Sequence, residues 1–451
     1  MTQPEMMMDY KTLADQLVKK CLTLGADAAE VYIGSSRNLS IRVRNGDIET
    51  VQESSSVGAG FRVFVKGRMA FASSNDMRDA ALAQAATRAI EFAKTTTADP
   101  NNVLPADTSM TAVEGLYDPS IATVSMERKI ELAKTVEKLA MKDQRITKSA
   151  GAGYGESEGE VFLANSNGLL KSYKFSGCSL GVSVVAEKGE QRSSGNEGAS
   201  RRFFADLTTP DELAARAARN AYELLDPRMV KTQRAAVIVD PRVAGSVLGG
   251  VLGAVNGESV LQGASFLGAM LDKPIASELV TLIDDGTRPK GLASRPFDGE
   301  GVPTQKRVIV NRGVLKGFMY NTIVAKRAGV KSTGNASRGG FTGLPGIGPH
   351  NFSMAAGTSV PGEIVKATKV GLWLTEATGY GINVVNGNFS GGASGLWIEN
   401  GEVAFPVRGL TIASTAKEML DGIDMVGNEL DLNRSFAAPL FRIKEMQIGG
   451  E

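Results

Sequence analysis

From Leu39 to Ser74 the chain alternates apolar and polar residues, LSIRVRNGDIETVQESSSVGAGFRVFVKGRMAFASS, on either side of Asn45-Gly46. Period-two alternation marks strands with one buried face, and Asn-Gly between two such runs is a strong hairpin signal. The same plan returns from Gly159 to Gly195, around Asn167-Gly168. Helical periodicity flanks both copies. Tyr10, Leu13, Ala14, Leu17, Cys21 and Leu24 share one helical face and Gly25 supplies a stop, with SMERKIELAKTVEKLAMK as the counterpart. Each copy then runs into a second helix, DMRDAALAQAATRAIEFAK in the first and, in the second, a helix opened by Thr209-Pro210-Asp211-Glu212, a capping pattern with Pro at the first helical position. The pattern predicts two units of helix, four strands and helix, at about 9–95 and 125–226, joined by a linker over 95–110.

Beyond residue 230 the punctuation changes. Of 52 glycines, 17 precede residue 231 and 35 follow it. AAVIVD reads as a buried strand, and Asp240-Pro241 as the cap of a small-residued helix, VAGSVLGGVLGAV. Short strands separated by turn glycines follow, including LVTLIDDG, QKRVIVNRGVLKGFMYN and VGLWLTEAT. Such spacing predicts a β-rich barrel or sandwich. The expected fold is therefore α+β: a duplicated helix and antiparallel-sheet domain over 1–230, then a β-rich domain over 231–451.

Composition narrows the function. Lys and Arg number 50 against 49 Asp and Glu, a net charge of +1 that gives no field for nucleic acid or an anionic membrane surface. There is no apolar run of 18 residues to span a bilayer, and MTQPEMMMDYK lacks the basic and apolar regions of a leader peptide. Two cysteines exclude a disulfide framework. The expectation is a cytoplasmic protein. One histidine in 451 residues argues against zinc sites built on two or three His, and against hydrolase triads.

The remaining candidates are weak in isolation. His350, in FTGLPGIGPHNFSM, has no Cys, Asp or Glu within ten residues and is expected to be structural. Cys21 and Cys178 fall on a helix face and in a strand, where free thiols behave as small hydrophobes. Asp284-Asp285 and Asp298-Gly299-Glu300 lack calcium-loop spacing and read as turn residues. NGNFSGG (386–392) lacks the strand, lysine and helix of a phosphate loop and reads as a hairpin turn.

Several separated segments, in order, resemble the TldD/PmbA family, historically labelled modulators of DNA gyrase: DDGTRPKGLASRPFDGEGVPTQKRVIVNRGVLKGFMYN, STGNASRGG, GLWIENGEVAFPVRGLTIAS and MVGNEL, together with the early AEVYIGSSRNLSIRVRNGDIETVQESSSVGAGFRVFVKGR. The resemblance implies one of two subunit kinds. The TldD kind carries His-Glu, three residues, then His on a helix, and a cysteine near the C-terminus, which together hold zinc for peptide hydrolysis. The PmbA or TldE kind lacks that set and pairs with TldD. Here the matching positions are Gly250, Val251 and Val255, and no cysteine occurs from residue 421 onward. The resemblance therefore implies no catalytic residue, metal or cofactor in this chain, and zinc on a TldD-type partner. It implies a heterodimer acting on small or unfolded peptides. For docking such a peptide the residues themselves point to the loop Thr333, Gly334, Asn335 and Arg338, because backbone exposed at a glycine-rich turn can pair with an extended peptide and Arg338 can meet a carboxylate. The alternative is a homodimeric peptide-binding or regulatory protein without hydrolytic activity.

Overall fold

The computed structural model describes residues 9–434 and 436–451, with Tyr380 by its backbone alone. MTQPEMMM, part of the segment read as lacking a leader, lies outside the described residues. The first half contains helix α1 (Tyr10–Thr23), strands β1 (Ala28–Arg44), β2 (Asp47–Val65) and β3 (Arg68–Ser74), and helix α2 (Asp79–Ala93). The second unit repeats this as α3 (Met126–Ala140), β4 (Ile146–Asn165), β5 (Leu170–Lys188), β6 (Gln191–Arg201) and α4 (Pro210–Tyr222). Each unit thus has three strands where the sequence pattern predicted four. The polar run QESSS does not break the chain into two strands, because β2 continues through it for 19 residues, paired residue by residue with β1.

The two units share one antiparallel sheet in the order β3-β2-β1-β4-β5-β6, joined at the β1/β4 pair. Asn45 and Gly46 both adopt positive φ, the two-residue turn that the Asn-Gly signal predicts. One sheet face is apolar along its length. Ala29, Val31 and Ile33 pack with α1 and α2, while Leu39, Ile41 and Val43, still in phase on the same strand, pack with α3 and α4. The opposite face, at Tyr32, Val161, Leu163 and Tyr173, packs against Phe297 of the second half of the chain.

That second half begins with β7 (Gln233–Val239), α5 (Ala244–Ala254), α6 (Gly257–Leu261), β8 (Leu282–Asp285), β9 (Lys306–Asn311), β10 (Val314–Leu315), α7 (Thr322–Arg327), β11 (Ala336–Ser337), β12 (Gly346–Ile347), β13 (Asn351–Met354) and α8 (Pro361–Lys366). It ends with β14 (Val370–Ile382), β15 (Asn388–Glu399), β16 (Glu402–Thr415), α9 (Ala416–Asp421), β17 (Ile423–Val426), β18 (Phe436–Ala437) and β19 (Phe441–Gly449). The sheet β16-β15-β14-β7-β19-β17 closes on itself because β16 also pairs with β19, Thr411 opposite Gly449. A barrel, one of the two predicted architectures, results; its interior is filled by Val237, Leu372, Leu374 and their neighbours. A second sheet, β10-β9-β8-β13-β18, lies alongside.

Helix α5 starts at Ala244 and not beside Asp240-Pro241. Asp240 instead accepts the Arg242 N–H at 3.0 Å and pairs with the Arg242 guanidinium at 2.9 Å, so it forms the turn before the helix. Among the described residues, no helix is long and apolar enough to cross a membrane.

Candidate functional site

Three places contain the residues singled out from sequence. The first is α5. Val247, Leu248, Val251 and Ala254 are fully buried in the barrel core, and Val255 caps the helix, also buried. Glycine is required on the side facing β14. A Cβ placed on Gly250 would lie 2.1 Å from the Ile382 carbonyl oxygen, and one on Gly253 would lie 2.6 Å from a Val384 methyl. The helix sits so close to the strand end that the Gly250 position has no room for any side chain, let alone an imidazole. Gly249, one residue away, faces open space. Among the described residues, no group of three or more His, Cys, Asp or Glu is arranged to hold a metal ion.

The second place is the loop 333–338. Asn335 is buried and donates from Nδ2 to Asp284 Oδ2 at 2.7 Å and to the Gly348 carbonyl at 3.1 Å. Thr333 Oγ1 accepts the Tyr320 N–H at 2.7 Å and donates to Asn335 Oδ1 at 2.7 Å. Gly334, at φ +71°, passes so near the Pro303 carbonyl that a Cβ would come within 2.6 Å. These three residues are therefore engaged within the protein. The same cluster contains His350: its N–H donates to Asp284 Oδ1 at 2.6 Å, and its Nδ1 lies 3.1 Å from Asp284 Oδ2. The acid partner absent from the local sequence comes from β8, 66 residues away. Asp285 and Asp298 behave as turn residues: Asp285 accepts from the Thr287 N–H, and Asp298 Oδ1 accepts from the N–H groups of Glu300 and Val302.

The third place is the seam between the N-terminal sheet and the second half of the chain. Glu30 and Arg62, directly opposite across β1 and β2, pair at 2.6 Å. Arg62 reaches on to Glu300 at 2.7 Å, and Arg338 pairs with the other oxygen of Glu30 while donating from Nε to the Gly299 carbonyl at 2.7 Å. All four side chains are 0–1% exposed. Two acids and two arginines thus neutralise one another in a dry clasp, and Glu300 also accepts the Thr322 N–H at 2.7 Å. Burial alone would raise the Glu300 carboxyl, but Arg62 and the Thr322 contacts hold it below its ordinary value. Asp298, one turn away, is pushed up to about 7 by burial and then by the Glu300 charge.

The structure therefore brings Arg338 to the Asp298-Gly299-Glu300 turn, and Thr333 and Asn335 to Asp284 and His350, but leaves α5 elsewhere. Sequence reasoning missed Glu30 and Arg62. Their one signal was a lone charge inside an otherwise apolar strand run, AAEVYI and GFRVFV. Cys21 and Cys178 are buried, and burial pushes both thiols up to about 12, the opposite of a nucleophile's environment.

Comparison with known proteins adds the family. Models of the PmbA/TldA metallopeptidase match in three parts: domain 1 over residues 29–93, the central domain over 119–225 and the C-terminal domain over 232–450. The metalloprotease PmbA of Escherichia coli O157:H7 is 32% identical, across 98% of this chain and 97% of that protein. Among solved structures, a Bacteroides thetaiotaomicron protein crystallised as a candidate modulator of DNA gyrase superposes with a TM-score of 0.89 at 28% identity, covering 99% of this chain and 100% of that one. TldE from Thermococcus kodakarensis superposes with a TM-score of 0.87 at 25% identity, covering 96% and 99% respectively.

Proposed function

The chain belongs to the PmbA/TldD metallopeptidase family, and from that premise we propose that it is the metal-free subunit, of PmbA or TldE type, in a two-subunit peptidase whose zinc is held by a TldD-type partner. The observation that carries this reading is the packing of α5. The zinc that the family implies does not fit here: Gly250, Val251 and Val255 offer no donor atom, and the Ile382 carbonyl occupies the space that a ligand side chain at Gly250 would need. Zinc ligands are imidazoles, thiolates or carboxylates, and the C-terminal stretch from residue 421 supplies no thiol. No hydrolytic step is routed through this chain.

What remains is a rigid wall. The six-stranded sheet, the barrel and the charged clasp between them hold a surface that a partner and a peptide can meet. Metal analysis of the purified chain, followed by mixing with a TldD-type subunit and measuring peptide turnover, is the test. The expected result is no stoichiometric zinc and no turnover by the chain alone, with zinc-dependent turnover on mixing. Stoichiometric zinc together with peptide hydrolysis by the isolated chain would overturn the reading.

A further inference from the structure

A cavity of about 500 Å³ opens at the seam, beside the clasp and away from α5. One side is the sheet face carrying Tyr32 and Tyr173; the other is formed by the loops carrying Arg295 and Phe341. The second loop is seated firmly: the Phe341 ring lies over Gly58, where a Cβ would come within 2.3 Å of it. Three arginines border the space, Arg202, Arg295 and Arg338. Their charge is answered unevenly. Arg338 is paired with Glu30, yet its Nη1 is buried without a partner, and its guanidinium stands 5.1 Å from the centre of the Tyr32 ring. Arg202 donates only to backbone carbonyls, those of Ser176, Gly291, Leu292 and Ser294. Arg295 makes a single long contact, 3.5 Å to the Ala293 carbonyl. Among the described residues, neither Arg202 nor Arg295 has a carboxylate within ion-pair distance, whereas the one acid on the lining, Glu160, faces Lys174 at 3.8 Å.

Two neighbouring guanidinium groups with no counter-charge are costly in a partly dry site unless an anion joins them. Consistent with that cost, burial, and further the adjacent Arg295 charge, pull the Arg202 guanidinium down to about 10. The volume lies within the range of small-molecule sites, roughly 300–1,000 Å³, and the aromatic lining suits an organic ligand better than a small, strongly hydrated ion. A guanidinium fork matches a planar carboxylate in two parallel hydrogen bonds. We propose that this cavity binds the C-terminal carboxylate of a short peptide, with Arg295 as its contact group, Arg202 supplying the field, and Tyr32 and Tyr173 flanking the terminal side chain. It rests on the peptidase reading only for the ligand's being a peptide.

The test is calorimetric titration of the full chain, without any partner subunit, using N-acetyl-Ala-Phe as the free acid, the same dipeptide as its C-terminal amide, and inorganic phosphate. The free acid is expected to bind one to one and the amide at least about tenfold more weakly, since the lost charge-assisted pair is worth about that much. Arg295→Gln is expected to weaken the acid by about tenfold and leave the amide unchanged, with an unaltered melting temperature showing that the fold is intact. Tyr32→Phe serves as a second, milder variant. Equal binding of acid and amide, no binding of the acid at millimolar concentration, an Arg295→Gln variant indistinguishable from the parent, or phosphate binding in place of the acid would each overturn the proposal. Because the readout is binding by the chain alone, its failure is separate from that of the metal-free reading, which fails through hydrolysis.

Discussion

Helix α5 and the seam between the two halves of the molecule treat polar chemistry in opposite ways. Along α5 every position that would have to donate to a metal is apolar or glycine, and the helix approaches β14 so closely that backbone atoms fill the space. At the seam, four fully buried charges form the clasp and two further arginines border the cavity that opens beside it. The helix is held by apolar packing alone, whereas the seam contains charged groups at a considerable desolvation cost, which only pairing or a ligand offsets; the contrast is what the two proposals rest on.

The sharpest way to break the contrast is to remove the centre of the clasp. Arg62→Ala would leave the buried Glu300 carboxylate without an arginine and Glu30 with Arg338 alone. The expected loss is about 3–5 kcal/mol of unfolding free energy, measured by urea denaturation, because breaking a buried pair strands its partner. Replacing all four members, Glu30, Arg62, Glu300 and Arg338, together with Met should cost much less than Arg62→Ala alone, because no buried charge is then left without a partner. If the quadruple variant is the less stable of the two, the clasp contributes net attraction and not merely mutual neutralisation.

A smaller effect, of opposite sign at adjacent residues, probes the helix. Gly250→Ala places a methyl against the Ile382 carbonyl and should destabilise by about 1–3 kcal/mol, the usual range for overpacking. Gly249→Ala meets no atom within 4 Å and should stabilise by up to about 1 kcal/mol through lowered chain entropy and better helix propensity. Denaturation midpoints of the two variants, with zinc absent and present, settle both points; equal effects would mean that α5 is free to shift away from β14.

Much of the fold was legible because it is local. The period of two around Asn45-Gly46, its return at Asn167-Gly168 and the amphipathic faces of α1 and α3 are set by neighbours within a few residues. The strand count was not, since whether QESSS interrupts a strand depends on β1 lying beside it. The loop at 333–338 was noticed for its turn glycine and its arginine, but its surroundings were hidden: Arg338 meets Glu30 across 308 positions. His350 looked solitary for the same reason, its partner Asp284 being supplied by a strand 66 residues earlier. Arginines 202 and 295 are unremarkable in sequence and gain meaning only when two loops and a sheet bring them to one cavity.

The subtlest expected effect concerns Asp298, which stands at the edge of the clasp. Three backbone N–H groups, from Glu300, Val302 and Ala336, favour its ionised form, but burial and then the Glu300 charge outweigh them and raise it from 3.8 to about 7. A carboxyl that holds its proton more tightly folded than unfolded stabilises the native state below the unfolded value. That contribution disappears as pH climbs towards the folded value, because the unfolded chain then binds fewer protons than the folded one. Asp298→Asn keeps an acceptor for Glu300 and Val302 but removes the titration, at a constant penalty from its altered contact with the Ala336 N–H. The melting temperature of the variant, taken relative to the parent, should therefore rise steadily from pH 4 to pH 7 and level off above. A gap that stays constant across this window would mean that Asp298 remains ionised in the folded protein, and that the seam carries a further buried negative charge which Lys171 or a bound cation must balance.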